Sequence, residues 1–262
     1  MSMKITIITL FPKMIEGFVN ESIIKRASDK KLVELEIVNL RDFAINDYGS
    51  VDDRPYGGGT GMIMRVDVIH NALLSISNLQ FPISKQAPNS KSKIILTSPK
   101  GKTFNQQKAI EYSKLDHLVI LAGHYEGVDE RVIGLVDEEV SIGDFVTTGG
   151  EIAAAAITDA VVRLVPDVLK KESATQQESF FHVSVNQLIK TVGEDETLKK
   201  LKEKGVIEVT LLEYPQYTRP EEFNGEKVPA ILLSGDPKKI GEWQIKKAYE
   251  ETLKKRPDLL IV

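Results

Sequence analysis

An α/β protein built on a parallel sheet, followed by a separate carboxy-terminal region, is predicted by three observations. Strand-like β-branched runs alternate with helical segments through residues 1–169, the alternation that gives parallel sheets. Three of the apolar runs end in glycine- or proline-bearing corners: Leu96 to Lys102 (LTSPKGK), Leu121 to Gly127 (LAGHYEG) and Ser141 to Glu151 (SIGDFVTTGGE). In a parallel sheet all three gather at the carboxyl edge of neighbouring strands, where ligands of open α/β folds bind, so they are read as one small-molecule pocket. Beyond residue 169 the chain turns polar and then closes on one amphipathic helix.

Composition narrows the chemistry. With 262 residues and 42% hydrophobic content the chain has material for one large or two modest domains. No apolar run reaches the roughly 18 residues of a membrane span. The amino terminus, MSMKITIITLF, reads as a charged strand without a small-residue cleavage site, so no membrane and a cytoplasmic location are expected. The absence of cysteine removes disulfides, thiolate nucleophiles and thiolate metal sites, and the four histidines are too scattered for ligand spacing. The sequence shows no ligand constellation for a metal, and a divalent ion assisting through carboxylates stays open without being indicated. Carboxylates, Arg, Lys, Tyr or a bound cofactor must carry the chemistry. A net charge of −4 neither draws the whole chain to nucleic acid nor excludes it, since phosphate contacts depend on locally placed Lys and Arg.

In order, Lys4 to Phe11 is a buried strand closed by Pro12, and the absence of G-x-G-x-x-G after it argues against a Rossmann-type site on the first strand. A helix is expected over Lys13 to Lys30 and a second strand over Val33 to Leu40. Val51 to Met64 (VDDRPYGGGTGMIM) holds Gly57, Gly58, Gly59 and Gly61 and opens into a helix from about Val66. Two readings stay open for it. It is a flexible turn cluster, or a lid in which glycine amides and the charges of Asp52, Asp53 and Arg54 meet a base. Gln80 to Ser92 reads as a surface connection.

Strands at Ile94 to Leu96 and Leu118 to Ala122 flank a polar helix over Asn105 to Lys114. HYEGVDERVIG reads as a helix start, with Glu126, Asp129 and Glu130 in its first turns. A short strand at Glu139 to Ile142 leads into SIGDFVTTGGE. There Gly143, Gly149 and Gly150 permit positive φ or backbone approaches that a Cβ forbids. The helix from Glu151 to Val165 is apolar nearly all round and stops ahead of Pro166, which calls for a deep core position or a subunit interface. Asp159 and Arg163 are spaced for a helix-surface ion pair.

Residues 170–210 read as a polar interdomain linker with two readings open: its centre forms a helix over Asp195 to Lys204 with Gly205 as its stop, or a segment this polar orders only on binding. Residues 211–262 end in a helix from Ile240 to Lys255. Its apolar stripe is Ile245, Ala248, Tyr249, Thr252 and Leu253, and its basic face is either solvated or in contact with RNA.

VDDRPYGGGTGM, LTSPKG, AGHYEGVDERV, SIGDFVTTGGE, YPQYTRP, VPAILLSG and KKRPDLL, in this order through nearly the whole chain, closely resemble the bacterial tRNA (guanine-N1)-methyltransferase family, the TrmD family of the SPOUT superfamily. The resemblance implies an α/β fold whose parallel sheet carries a deep trefoil knot, a small and mainly helical carboxy-terminal domain, and an obligate homodimer. The methyl donor it implies is S-adenosyl-L-methionine, and the product is N1-methylguanosine just 3′ of the tRNA anticodon. Carried over by motif, the donor lies against Thr97, Ser98 and Pro99; Gly123, Tyr125 and Glu126; and Ile142, Gly143, Asp144, Phe145, Val146 and Thr147, with Gly149 and Gly150 closing the bend. Asp52, Gly61, Tyr217 and Arg219 fall to the tRNA substrate.

Guanine N1 carries a proton at neutral pH, so methylation there needs a base to remove it and a cation for the charge that builds on O6. The resemblance makes Arg163 that cation, in place of the surface ion pair read from spacing. It makes Glu178, in QQESF where the family usually has Asp, the base supplied by the opposite subunit. Other departures are His124 for a usual Arg, Ala153 for a usual Pro, Gln216 for a usual His, and an insertion after Phe181. Two rival readings share these motifs: a SPOUT ribose 2′-O-methyltransferase, and a non-catalytic module that binds RNA and S-adenosylmethionine.

Overall fold

The computed structural model describes residues 2–76, 91–170 and 178–260. The chain divides into two compact units, Met1–Lys171 and Glu172–Val262.

The first unit opens with β1 (Met3–Thr9), then α1 (Pro12–Val19), α2 (Ser22–Asp29) and β2 (Val33–Asn39). The single helix expected over Lys13 to Lys30 is thus two. The Asn20 side-chain amide donates to the carbonyl of Glu16 at 2.8 Å, and Ser22 turns to a φ of +52°, a left-handed conformation that stops a right-handed helix. A two-stranded hairpin, β3 (Asp52–Asp53) with β4 (Ile63–Met64), spans the glycine-rich stretch and leads into α3 (Val66–Ser75). The surface connection expected at Gln80 to Ser92 lies, up to residue 90, outside the described residues.

β5 (Ser92–Thr103), α4 (Gln106–Tyr112), β6 (His117–Ala122), β7 (Glu138–Ser141) and α5 (Glu151–Val162) complete the unit. The sheet has five strands in the order β2-β1-β6-β5-β7, and every pairing in it is parallel. All of β6 is buried, as a central parallel strand covered on both faces must be. Leu118, Ile120 and Ala122 pack with Ile15, Ile157 and Val161 on one face. Val119 and Leu121 pack with Ile69, Leu73 and Val132 on the other.

Two corners differ from expectation. The LTSPKGK corner does not end its strand: β5 bulges out over Ser98 to Gly101 and rejoins β7, so that Thr97 and Lys102 both pair with Val140. Gly101 makes the return possible, because a Cβ there would stand 2.4 Å from the backbone carbon of Glu139 and the nitrogen of Val140. The HYEGVDERVIG corner is no α-helix start. Tyr125 and Gly127 take positive φ, and a short 3-10 helix over Glu130–Leu135 begins only where the Asp129 carboxylate accepts from the backbone N–H of Arg131.

The stretch expected as a linker, 170–210, folds within the second unit from β8 onward. β8 (Phe181–Ser184) and β9 (Glu208–Leu211) pair antiparallel around α6 (Val185–Val192) and α7 (Glu196–Glu203). Its sparse apolar residues suffice because Leu188, Leu198 and Leu201 close on Ala248 and Tyr249 in one core. Asp195 caps α7 by accepting from the N–H of Leu198 and also accepts from the hydroxyl of Tyr249, and Gly205 ends the helix at a φ of +73°. A small hairpin, β10 (Glu222–Phe223) with β11 (Glu226–Lys227), precedes α8 (Pro237–Lys255).

Candidate functional site

The carboxyl ends of β5, β6 and β7 frame a cavity of about 240 Å³ within the first unit. Each strand end contributes one wall. From β5 and its bulge come Leu96, Thr97, Ser98, Pro99 and Lys100. From the β6 corner come Gly123, His124, Tyr125 and Glu126, with Glu130 and Ile133 of the 3-10 helix beyond. From β7 and the loop after it come Glu139, Ile142, Phe145, Val146 and Thr147, ending on Gly149 and Gly150 at the start of α5.

The glycines are needed for different reasons. Gly143 takes a φ of +151°, and a Cβ on it would meet the Phe145 ring at 2.6 Å. That turn is also bonded locally: Gly143 N–H donates to Ser141 Oγ at 3.1 Å, and Ser141 Oγ–H donates back to the Gly143 carbonyl at 2.8 Å. At Gly150 the backbone torsion is ordinary (φ −81°), and proximity is the constraint. Its N–H donates to the Gly123 carbonyl at 2.6 Å. A Cβ there would lie 2.0 Å from Thr97 Oγ1 and 2.8 Å from the Gly123 nitrogen. The three corners are therefore in direct contact.

A buried carboxylate underlies the junction. Glu151, the first residue of α5, is 0% exposed. Its Oε1 accepts from Thr9 Oγ1 at 2.8 Å, and its Oε2 lies 3.3 Å from His124 Nδ1. The His124 ring is tilted against Phe11 at 4.6 Å and edge-on to Tyr125 at 5.0 Å. The glycine hairpin reaches the same wall: Glu126 N–H donates to the Met62 carbonyl at 3.1 Å, and a Cβ on Gly61 would stand 2.4 Å from Glu126 Cγ.

Of the residues read from sequence as donor-contacting, Thr97, Ser98, Pro99, Gly123, Tyr125, Glu126, Ile142, Phe145, Val146, Thr147, Gly149 and Gly150 line this cavity. Gly143 and Asp144 sit in its β7 loop without lining it. Asp52 lies in β3, and Arg163 is the C-cap of α5. Glu178, Tyr217 and Arg219 belong to the second unit. Outside the three corners, sequence reasoning missed Glu130, Ile133 and Glu139 as cavity residues. The doublet at Glu138 and Glu139 carries no signal for which carboxylate faces the cavity; that follows from strand alternation once β7 is placed. Among the described residues no group of three or more His, Asp or Glu side chains is arranged to hold a metal ion, and no helix is long and apolar enough to cross a membrane.

A parallel α/β unit whose strand-end corners close around one glycine-walled, carboxylate-edged cavity belongs to the class of α/β enzymes that hold a small-molecule ligand at the sheet's carboxyl edge. Comparison with known proteins narrows the class. The family model described as tRNA (Guanine-1)-methyltransferase TrmD matches residues 3–261, and the chain belongs to that family. It is similar to proteins named tRNA (guanine-N(1)-)-methyltransferase from Citrifermentans bemidjiense (48% identical over 259 residues, 98% of this chain and 90% of the relative). Those from Clostridium beijerinckii (46% over 261 residues, 98% and 92%) and Fusobacterium nucleatum (45% over 259 residues, 98% and 91%) are similar as well.

Proposed function

We propose that the chain is a tRNA methyltransferase that moves a methyl group from S-adenosyl-L-methionine to N1 of the guanosine just 3′ of the anticodon. The observation that carries this reading is the contact of the three corners around one cavity, in a chain matched by the family model over residues 3–261.

The cavity's chemistry fits such a donor. Leu96, Ile133, Ile142 and Phe145 supply apolar surface for a purine ring. The charged side chains around it are Glu126, Glu130 and Glu139 against Lys100, a balance that favours a cationic ligand over an anionic one. When bound, the donor supplies an electrophilic methyl group on a positively charged sulfur.

The chain's own residues then manage a proton and a charge. Glu178 takes the hydrogen from guanine N1, whose lone pair is otherwise delocalised. Arg163 faces the negative charge that builds on O6, as an oxyanion-hole cation would. Asp52, Gly61, Tyr217 and Arg219 hold the tRNA, with residues 211–262 as its docking domain. The donor loops lie in a trefoil knot of the SPOUT type, and the enzyme works in the cytoplasm.

Two copies make one working site, with Glu178 of one facing the donor cavity of the other. The surface of the first unit supports this pairing. Ile152 is 56% exposed on α5, with Ala156 and Asp159 on the same open face, and Phe145 and Val146 are exposed beside the cavity. Replacing Glu178 by Gln and measuring turnover together with donor affinity tests the assignment. Turnover falls while donor affinity holds; unchanged turnover removes Glu178 from the mechanism.

A further inference from the structure

Glu151 is a fully buried carboxylate that neither the proton transfer nor the charge stabilisation uses. Among the described residues no lysine or arginine lies within ion-pair distance of it; His124 is its ionisable partner. A buried carboxylate so sparsely compensated is costly, and its hydrogen bonds say what it fixes. Thr9 Oγ1 accepts from the N–H of Phe11 at 2.9 Å and so has its own hydrogen free to donate to Glu151 Oε1. That leaves Oε2 for His124. In the ionised form Oε2 only accepts, which requires a hydrogen on Nδ1 of His124 across the 3.3 Å contact, and the partner of that one nitrogen then sets the tautomer of the ring.

The same atoms hold the cavity wall. His124 bridges Gly149 through the backbone. A Cβ on Gly149 would lie 2.3 Å from His124 Nδ1 and 2.4 Å from Glu151 Oε2, so the glycine is the space the pair occupies. One carboxylate thereby ties the end of β1, the β6 corner and the loop before α5 together, and the last two carry donor-cavity residues.

We propose that Glu151 is a positioning residue for donor binding, acting through His124: it holds the imidazole with hydrogen on Nδ1 and its edge set in the cavity wall beside Gly149. This rests on the reading of the cavity as the donor site. Glu151→Gln keeps the size of the side chain. Thr9 holds the Gln carbonyl at the Oε1 position, so the amide NH2 faces His124 Nδ1 and drives the hydrogen to Nε2.

The test measures two quantities on the full-length wild type and the variants Glu151→Gln and Thr9→Val. These are affinity for S-adenosylmethionine by calorimetry, and the His124 tautomer from the nitrogen-15 shifts of the ring. For Glu151→Gln we expect a loss of about tenfold in donor affinity, the scale of one charge-assisted hydrogen bond. The ring hydrogen moves from Nδ1 to Nε2 while the KM for tRNA stays within about twofold, as befits a change confined to the donor wall. Thr9→Val, which leaves the carboxylate and the histidine in place, weakens donor binding about threefold with the tautomer retained. Should Glu151→Gln fail to fold, the Thr9→Val affinity and the wild-type tautomer decide. Donor affinity unchanged in the folded variants, a wild-type ring with hydrogen on Nε2 alone, or equal losses of donor and tRNA affinity would overturn the inference. A wild type that binds no S-adenosylmethionine contradicts the donor reading instead.

Discussion

Gly150 stands so close to Thr97 that the first carbon of any side chain placed on it would fall 2.0 Å from the threonine hydroxyl. Gly150→Ala therefore has to part the β5 bulge from the start of α5. Overpacking of this kind costs about 1–3 kcal/mol. Because the clash is inside the cavity wall, donor affinity falls by at least about tenfold. Calorimetric titration alongside a thermal melt checks this. Combining it with Thr97→Ala removes one clash but leaves the Gly123 nitrogen at 2.8 Å, so rescue is partial.

Gly101→Ala acts at the other end of the bulge. The added methyl meets the backbone of Glu139 and Val140, which has no rotamer to escape into, so β7 loses its register with β5 beyond Thr97. Expected are a drop of about 1–3 kcal/mol in stability, and faster amide exchange at Lys102 and Thr103 than at Ile95 and Leu96, measured by hydrogen exchange.

These contacts mark the limit of what the sequence discloses. The parallel sheet was legible because β-branched runs such as KITIITLF and HLVIL alternate with helices, and the cavity's location followed from where the runs stop. That Gly149 and Gly150 serve proximity while Gly143 serves torsion was not legible, since it depends on which distant backbone arrives beside each. The polar stretch 170–210 looked unable to build a core. Leu188, Leu198 and Leu201 become one only with Ala248 and Tyr249, more than forty positions on in the chain. The 3-10 turn at Glu130 was hidden because Asp129 caps any helix equally well, and the positive φ of Tyr125 has no sequence signal.

Acid lability should report on Glu138. Burial alone would push its carboxyl up, but hydrogen bonds from Lys108, Tyr112 and Lys93 outweigh burial and hold it below the usual 4.5. With its folded value depressed, the stabilisation is complete above about pH 4.5 and is lost as pH falls through the lower folded value. Denaturant melts of wild type and Glu138→Gln between neutral and acid pH should show a gap that is constant near neutrality and closes in that acid window. A gap that widens toward acid contradicts the assignment.

Removing the proposed O6 cation by Arg163→Ala should lower single-turnover methyl transfer by about a hundred- to a thousandfold, the scale of losing one oxyanion donor. Donor affinity should change by less than about threefold, since Arg163 does not line the cavity. Equal losses in both would place the guanidinium in the donor site rather than at the guanine.

Base and position are decided together by methyl transfer from labelled S-adenosylmethionine to unmodified tRNA transcripts that differ only at the base just 3′ of the anticodon, followed by nucleoside analysis. Label should be recovered as N1-methylguanosine from the transcript with guanine there, and not from the transcript without it. Label on a ribose oxygen, or equal labelling of both transcripts, would contradict the proposed function.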